Sequence, residues 1–322
     1  MKILVTGGTG FIGKALVHEF VRLRHTVTSF ALDTAPELDR LGVRQLRGDL
    51  ADAGALAGAA AGQAAVFHTA ARTGTAGRYR DFHTPNVRGT EHVLAACARA
   101  DVRYLVYTGS PSAVFRHRPI EGLAENECAY PEKFMSYYEE TKARAEQLVV
   151  SAGKRPGSTL KTVVVRPHLV YGPGDTNLLP RLEARARSRS LIQVGEGTNL
   201  VSLTHIANAV RGHVRALEAL VGDAGLSGNC YFITDGPPVN LWDWIRGYLE
   251  RKGLPGPVKK YSYKTAYRLG AAFEILWKLP GIRRREPPLT RFTADQFAMS
   301  HYYSIDKAKN DLGYKPGEYP CC

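Results

Sequence analysis

Short apolar runs rich in β-branched residues alternate with segments of helical spacing through the first half of the chain. Lys2–Thr6 reads as a short buried strand, and Phe11 to Leu23 repeats its apolar residues every three or four positions. Further strands are expected at Thr26–Phe30, Val43–Arg47, Ala64–His68, Tyr104–Thr108 and Thr162–Arg166. Helices are expected at Ala51–Ala61, Asn86–Arg99 and Tyr137–Ser151. Parallel strands need crossover connections, so this alternation predicts an α/β protein with a doubly wound parallel sheet and helices on both faces.

The rhythm breaks after Arg166. Residues 167–200 are rich in Gly, Pro and Arg, Leu203 to Leu220 returns to helix, and Tyr231–Thr234 gives one late strand. From Gly236 onward, Pro-Gly turns separate short helices and no sheet is evident. The expected organisation is a nucleotide domain of residues 1–166 and 202–235, with a smaller C-terminal substrate lobe of 167–201 and 236–322.

The first strand runs into Thr6-Gly7-Gly8-Thr9-Gly10-Phe11-Ile12-Gly13. Gly7 permits a tight turn, Gly10 a close approach of backbone to a pyrophosphate, and Gly13 close packing of helix on strand. The first helical residues, Phe11 and Ile12, then offer unpaired N–H groups at the positive end of a helix. This context makes the sheet Rossmann-like and predicts dinucleotide binding. Asp49 and Leu50 follow the third strand, where the carboxylate can accept from an adenine amino group. Ala70 and Ala71 end the fourth strand with small side chains that leave room for a cofactor. At the end of strand two, an acid would bind the ribose 2′-hydroxyl of NAD. Ala31 stands there and Asp33 lies further on. The missing acid favours NADP(H), with NAD(H) still open.

Tyr138 and Lys142 lie four apart on a predicted helix and share a face. An ammonium beside a phenol favours the phenolate, so Tyr138 can exchange a proton with a carbonyl or alcohol oxygen while Lys142 holds the nicotinamide ribose. Ser110, just past the fifth strand, can hydrogen-bond the same oxygen, and Ser112 competes for that role. Thr108 at the strand end joins the cofactor-facing set. Tyr137 has only Thr141 four residues on and lacks a charged partner.

Composition narrows the ligand. The net charge of +13 suits anionic ligands. Lys and Arg are scattered apart from Arg283–Arg285, and no basic-aromatic module predicts nucleic-acid binding. None of the five cysteines has metal-ligand spacing, so no metal site is expected. The Cys321-Cys322 pair reads as a reduced pair at a frayed end. No stretch reaches the roughly 20 apolar residues of a spanning helix. The opening strand and cysteine usage predict a cytoplasmic protein. The segment Tyr267 to Leu279 reads either as an amphipathic helix packed on its own lobe or as a membrane-surface or partner-enzyme contact with a basic flank, Arg283–Arg285.

These motifs resemble the extended short-chain dehydrogenase/reductase family, and the likeness runs through nearly the whole chain. Residues Arg166 to Gly174 resemble the segment that closes over the nicotinamide, which implies cofactor contacts for Pro167 and His168. Tyr107 to Phe115, Val194 to Asn199 and Pro287 to Phe292 look most like the 3β-hydroxysteroid and sterol-4-carboxylate 3-dehydrogenase branch. They resemble even more its bacterial relatives that reduce 2-alkyl-3-oxoalkanoic acids. Gly109 departs from the branch, which usually has a second serine there. The resemblance implies interconversion of a 3-ketone and a 3-hydroxyl beside a carboxylate, on a hydrophobic acid or sterol-like substrate. Arg72, Arg78, His168 and Arg181 are candidate carboxylate contacts. A nucleotide-sugar epimerase or dehydratase and a non-catalytic NAD(P) sensor are the competing readings. The family also implies a homodimer.

Overall fold

The computed structural model describes residues 1–277, 279 and 286–319. Its main sheet contains β1 (Lys2–Thr6), β2 (Thr26–Ala31), β3 (Arg44–Arg47), β4 (Ala65–His68), β5 (Tyr104–Thr108), β6 (Lys161–Pro167) and β7 (Asn229–Ile233). The order is β7-β6-β5-β4-β1-β2-β3, and every neighbouring pair is parallel. Winding reverses at β1, with β2 on one side and β4 on the other. The crevice above the carboxyl ends of β1 and β4 is therefore the switch point where such sheets bind ligands.

Both faces of the sheet are buried, which explains the nearly continuous apolar strand runs. On one face Ile3, Val5, Phe67 and Val165 meet Leu16 and Phe20 of α1 (Phe11–Arg22). On the other, Leu4, Val66, Leu105 and Val164 meet Val93 and Cys97 of the Gly89–Arg99 helix and Val149 of α2 (Tyr137–Lys154). A π turn, Thr84–Arg88, stands where the predicted Asn86–Arg99 helix begins.

The C-terminal part was expected to lack a sheet, and the structure corrects this. Val239–Asn240, Leu200–Val201, His301–Tyr303 and Ile120–Leu123 form a small four-stranded sheet. Strands of two to four residues are too short to show alternation in sequence. Ile120–Leu123 reaches this sheet from the chain just ahead of α2. Around it, Trp242, Tyr248, Val201, Leu289 and Ala294 form a separate apolar core.

Two further helices complete the lobe, α3 (Tyr263–Leu276) and α4 (Arg291–Ala298). Gly270 of α3 lies so close to α4 that a Cβ there would sit 2.6 Å from the Thr290 carbonyl carbon. The opposite face of α3 leaves Leu269, Ile275 and Leu276 exposed. The predicted 267–279 helix thus packs one face on its own lobe and presents the other to its surroundings. No helix among the described residues is long and apolar enough to cross a membrane. Arg283–Arg285 and Cys321-Cys322 lie outside the described residues.

Candidate active site

The glycine loop sits at the switch point. A Cβ on Gly13 would lie 2.1 Å from the Gly7 carbonyl oxygen, and one on Gly7 would lie 2.8 Å from the Ala70 backbone. Gly7 also has φ +71, a left-handed conformation that side chains resist. Helix α1 begins at Gly10 with no capping side chain and no acid in its first turn. Among the described residues no side chain caps this helix start, and the amides around Phe11, Ile12 and Gly13 fit a pyrophosphate.

The rest of the predicted cofactor set spreads along the same edge. Asp49 Oδ1 accepts from the Ala51 amide at 2.9 Å, and buried Leu50 packs under Gly89. Ala70 and Ala71 stay partly open beyond β4. The Thr108 hydroxyl turns towards His213, at 2.8 Å. Pro167 ends β6. The His168 ring turns inward to His301, with Nε2 and Nδ1 2.7 Å apart, and His301 Nε2 lies 2.8 Å from the Gln296 carbonyl oxygen. Burial holds both rings below the ordinary histidine range, His301 at about 4. A neutral, internally paired imidazole cannot attract a carboxylate, so His168 leaves the list of candidate carboxylate contacts.

The catalytic candidates converge. Ser112 Oγ donates to Ser110 Oγ at 2.8 Å, and both hydroxyls lie near enough to the Tyr138 phenol to lower its pKa. Both competing serines therefore belong to one hydroxyl cluster. Burial raises the Tyr138 pKa and the nearby serine hydroxyls partly offset this, so the phenol keeps its proton at neutral pH. Lys142 departs from the sequence expectation. Its Nζ donates to the Tyr107 hydroxyl and the Thr108 carbonyl, both at 2.7 Å, and stands 4.3 Å from the Tyr107 ring centroid. Burial lowers its pKa to about 7, against the opposing pull of Glu146. Gly109 also gains a reason: a Cβ there would lie 2.7 Å from both Glu146 Oε2 and Val164, leaving no room for a second serine.

Three residues that the sequence did not single out shape this site. Asn86 accepts from the Arg72 amide at 2.6 Å and donates to the Arg72 carbonyl and Thr141, both at 3.0 Å. It clamps the chain beyond β4 to the catalytic helix. Arg47 pairs with Ala31 across β2 and β3, and its Nε donates to the Leu32 carbonyl at 2.8 Å. A base therefore stands at the end of β2 after all, supplied by the neighbouring strand. Glu146 forms a buried ion pair with Arg166, with Nε–Oε2 3.0 Å and Nη2–Oε1 2.5 Å.

A cavity of about 510 Å³ is walled in part by chain neighbours of Tyr138; Tyr138, Ser110 and Ser112 do not line it. Met135, Ser136 and Tyr137 form one side, Arg78 and Tyr79 another, and Trp277 and Phe292 of the small lobe close it. Of the four carboxylate candidates only Arg78 lines this cavity. Arg181 lies 3.7 Å from Glu286, and Arg72 stands 5.9 Å from the Phe82 ring centroid.

Residues 4–260 match the profile of the 3-beta hydroxysteroid dehydrogenase/isomerase family. The chain belongs to that family. It is 46% identical over 317 residues to 2-alkyl-3-oxoalkanoate reductase of Stenotrophomonas maltophilia (strain K279a), covering 98% of this chain and 95% of that protein. It is 32% identical over 317 residues to the decarboxylating sterol-4-alpha-carboxylate 3-dehydrogenase of Mus musculus, covering 98% and 86%. Among solved structures, UDP-glucuronic acid 4-epimerase from Bacillus cereus in complex with NAD matches with a TM-score of 0.76 at 20% identity, over 100% of this chain and 95% of that one. The structural likeness carries the fold alone. As a member of the 3-beta hydroxysteroid dehydrogenase/isomerase family, the chain is a nicotinamide-dependent oxidoreductase.

Proposed function

We propose that the chain interconverts the 3-ketone and 3-hydroxyl of a hydrophobic 2-alkyl-3-oxo/3-hydroxy acid, with NADP(H) as the favoured cofactor. The meeting of Ser110, Ser112 and Tyr138 hydroxyls beside Lys142, at the carboxyl edge of the sheet, carries this reading. The nicotinamide, when bound, supplies or accepts the hydride. In reduction, Tyr138 gives its proton to the carbonyl oxygen. Ser110 donates to that oxygen as charge develops, and Ser112 orients Ser110. Lys142, anchored by the Thr108 carbonyl, is the residue that would hold the nicotinamide ribose.

The substrate class rests on the cavity and on the two relatives. Tyr79, Trp277 and Phe292 suit an alkyl chain, and Arg78, half-exposed and 3.6 Å from Asp81, is the candidate cation on the cavity wall for a carboxylate. Arg291 is committed to Glu274, with Nη2–Oε2 2.7 Å. Arg47 supports NADP(H), because a guanidinium beside the end of β2 suits a 2′-phosphate. The exposed apolar face of α3 carries Lys264 and Arg268 and no acid, which favours contact with an anionic lipid surface.

The deciding assay follows reduced-nicotinamide formation from NADP⁺ and NAD⁺, with a long-chain 2-alkyl-3-hydroxyalkanoic acid beside a 3β-hydroxysterol 4-carboxylate. Turnover on the acyl acid is expected, with loss of roughly 10²–10⁴-fold in Tyr138→Phe. Turnover on the sterol alone would move the enzyme to the sterol branch, and silence on both would overturn the substrate class.

A further inference from the structure

Helix α2 begins with a reciprocal cap. Ser136 Oγ accepts from the Glu139 amide at 3.2 Å, while Glu139 Oε2 accepts from the Ser136 amide and hydroxyl, both at 2.9 Å. Such caps normally face water. Here the Glu139 side chain is wholly buried, and its second oxygen, Oε1, lies 3.3 Å from His117 Nε2, an ion-pair distance at which neither atom has hydrogen-bond geometry. His117 Nδ1 lies 2.8 Å from Oδ2 of Asp295, a second wholly buried carboxylate, on α4. Asp295 Oδ1 accepts from the Tyr263 hydroxyl of α3 at 2.9 Å. One polar chain thus runs Ser136–Glu139–His117–Asp295–Tyr263 and joins the start of the catalytic helix to two helices of the small lobe.

Three features set this chain apart from incidental packing. His117 has φ +54, so a non-glycine residue is held in the left-handed region to aim its ring inward between exposed Arg116 and Arg118. Its ring is the group placed between two buried acids, and burying either acid without a cation would be costly. Burial lowers the ring's pKa, but the Asp295 carboxylate bonded to it and the Glu139 carboxylate beside it outweigh burial and raise it to about 9, so the ring is charged at neutral pH. The elements it joins also wall the cavity. Ser136 and Tyr137 start α2, Glu274 and Trp277 belong to the end of α3, and Arg291 and Phe292 open α4.

We propose that His117 is a positioning residue for the reaction: it ties the first turn of the catalytic helix, and with it Tyr138, to the two helices that close the substrate cavity. This rests on the reading of Tyr138 as the proton donor. His117 touches neither cofactor nor substrate. Its neighbours facing the ring are Glu139 from α2 and Asp295 from α4, and Tyr263 from α3 holds Asp295 in place. No glycine-loop residue takes part in these contacts, so loss of the tie changes how substrate meets Tyr138 and leaves cofactor affinity alone.

The test compares wild type, His117→Gln and the milder Tyr263→Phe in the full-length protein by two readouts. Amide hydrogen exchange reads the tie without any turnover. In His117→Gln, residues 136–140 and 291–298 should exchange at least tenfold faster together, while the glycine loop stays unchanged. Kinetics per cofactor-binding site read the positioning. Here kcat/KM on the 3-hydroxy acid should fall roughly ten- to hundredfold in His117→Gln and a few-fold in Tyr263→Phe, with NADPH Kd unchanged. Faster exchange in only one of the two segments, or in neither, overturns the tie. Coupled exchange with wild-type kcat/KM in both variants leaves a purely structural link and overturns the positioning role. If wild type itself turns over none of the offered acids, the substrate reading fails, and the exchange comparison still decides the tie.

Discussion

Replacing Glu146 by Gln should destabilise the fold and, separately, retune the active site. The Glu146 carboxylate is completely buried and accepts from Arg166 Nε, Arg166 Nη2 and the Tyr130 hydroxyl, the last at 2.8 Å. Arg166 is also almost wholly buried, with 4% of its side chain exposed, so an amide at position 146 strands a guanidinium in the interior. Breaking a buried pair from one side costs about 3–5 kcal/mol. For a chain of 322 residues, that is a fall in Tm of roughly 4–7 °C. The second effect reaches Lys142, one turn earlier on the same helix. Burial depresses the Lys142 pKa to about 7 and the Glu146 charge resists that depression. Without the carboxylate the ammonium loses its proton at lower pH. If the charged form is the active one, the limb of kcat/KM that falls with rising pH moves to lower pH. Urea unfolding and a pH profile from 5 to 9 measure the two effects. Glu146→Leu with Arg166→Met removes both charges and should recover most of the stability while keeping the displaced limb. A loss under about 1 kcal/mol in Glu146→Gln would refute the stability argument. A normal pH limb in a destabilised variant would refute the coupling to Lys142.

Two further outcomes test the proposed cofactor and surface assignments. Arg47→Ala should raise the KM for NADP⁺ roughly tenfold and leave the KM for NAD⁺ nearly unchanged, as steady-state kinetics with both cofactors will show; equal effects on the two would remove Arg47 from 2′-phosphate recognition. Ile275→Glu with Leu276→Glu should abolish co-sedimentation with vesicles rich in anionic lipid without changing turnover of a soluble short-chain substrate, and retained sedimentation would clear α3 of that contact.

Legibility in the sequence followed the length and continuity of each signal. The main-sheet strands were readable because burial on both faces demands unbroken runs such as Val163, Val164 and Val165. The glycine loop was readable because the left-handed turn at Gly7 and the contact of Gly13 with the Gly7 carbonyl are local, even though Ala70 also crowds Gly7. The small sheet was not, since its short strands are held by partners far along the chain, Val201 by Val239 and His301, and His301 by Ile120. Arg47 was read as a strand residue, and only the register against Ala31 shows that it reaches the end of β2. His117 lies in an Arg-His-Arg run that looks like solvated surface, yet its ring turns inward where the arginines do not. The Tyr138–Lys142 spacing was legible, but the Lys142 partners were not, because Tyr107 and Thr108 come from a strand some 35 residues earlier.

The catalytic helix shows why periodicity misleads here. Glu139, Lys142 and Glu146 fall at spacings of three and four, a charged stripe that in a sequence reads as the face turned to water. In the structure that stripe faces inward, and all three residues are buried. Each charge meets a partner from a different part of the chain: His117 for Glu139, the Tyr107 hydroxyl and Thr108 carbonyl for Lys142, and Arg166 for Glu146. Apolar side chains would give a more stable contact, since desolvating ions consumes most of what their pairing returns. They would also tolerate sliding. A rotation of this helix by one residue would strand three charges at once, whereas a stripe of leucines could repack. The buried ions therefore fix rotation and height of the helix, and with them Tyr138, one position from Glu139 and four from Lys142. Stability is given up along this one face in return for a single placement of the proton donor.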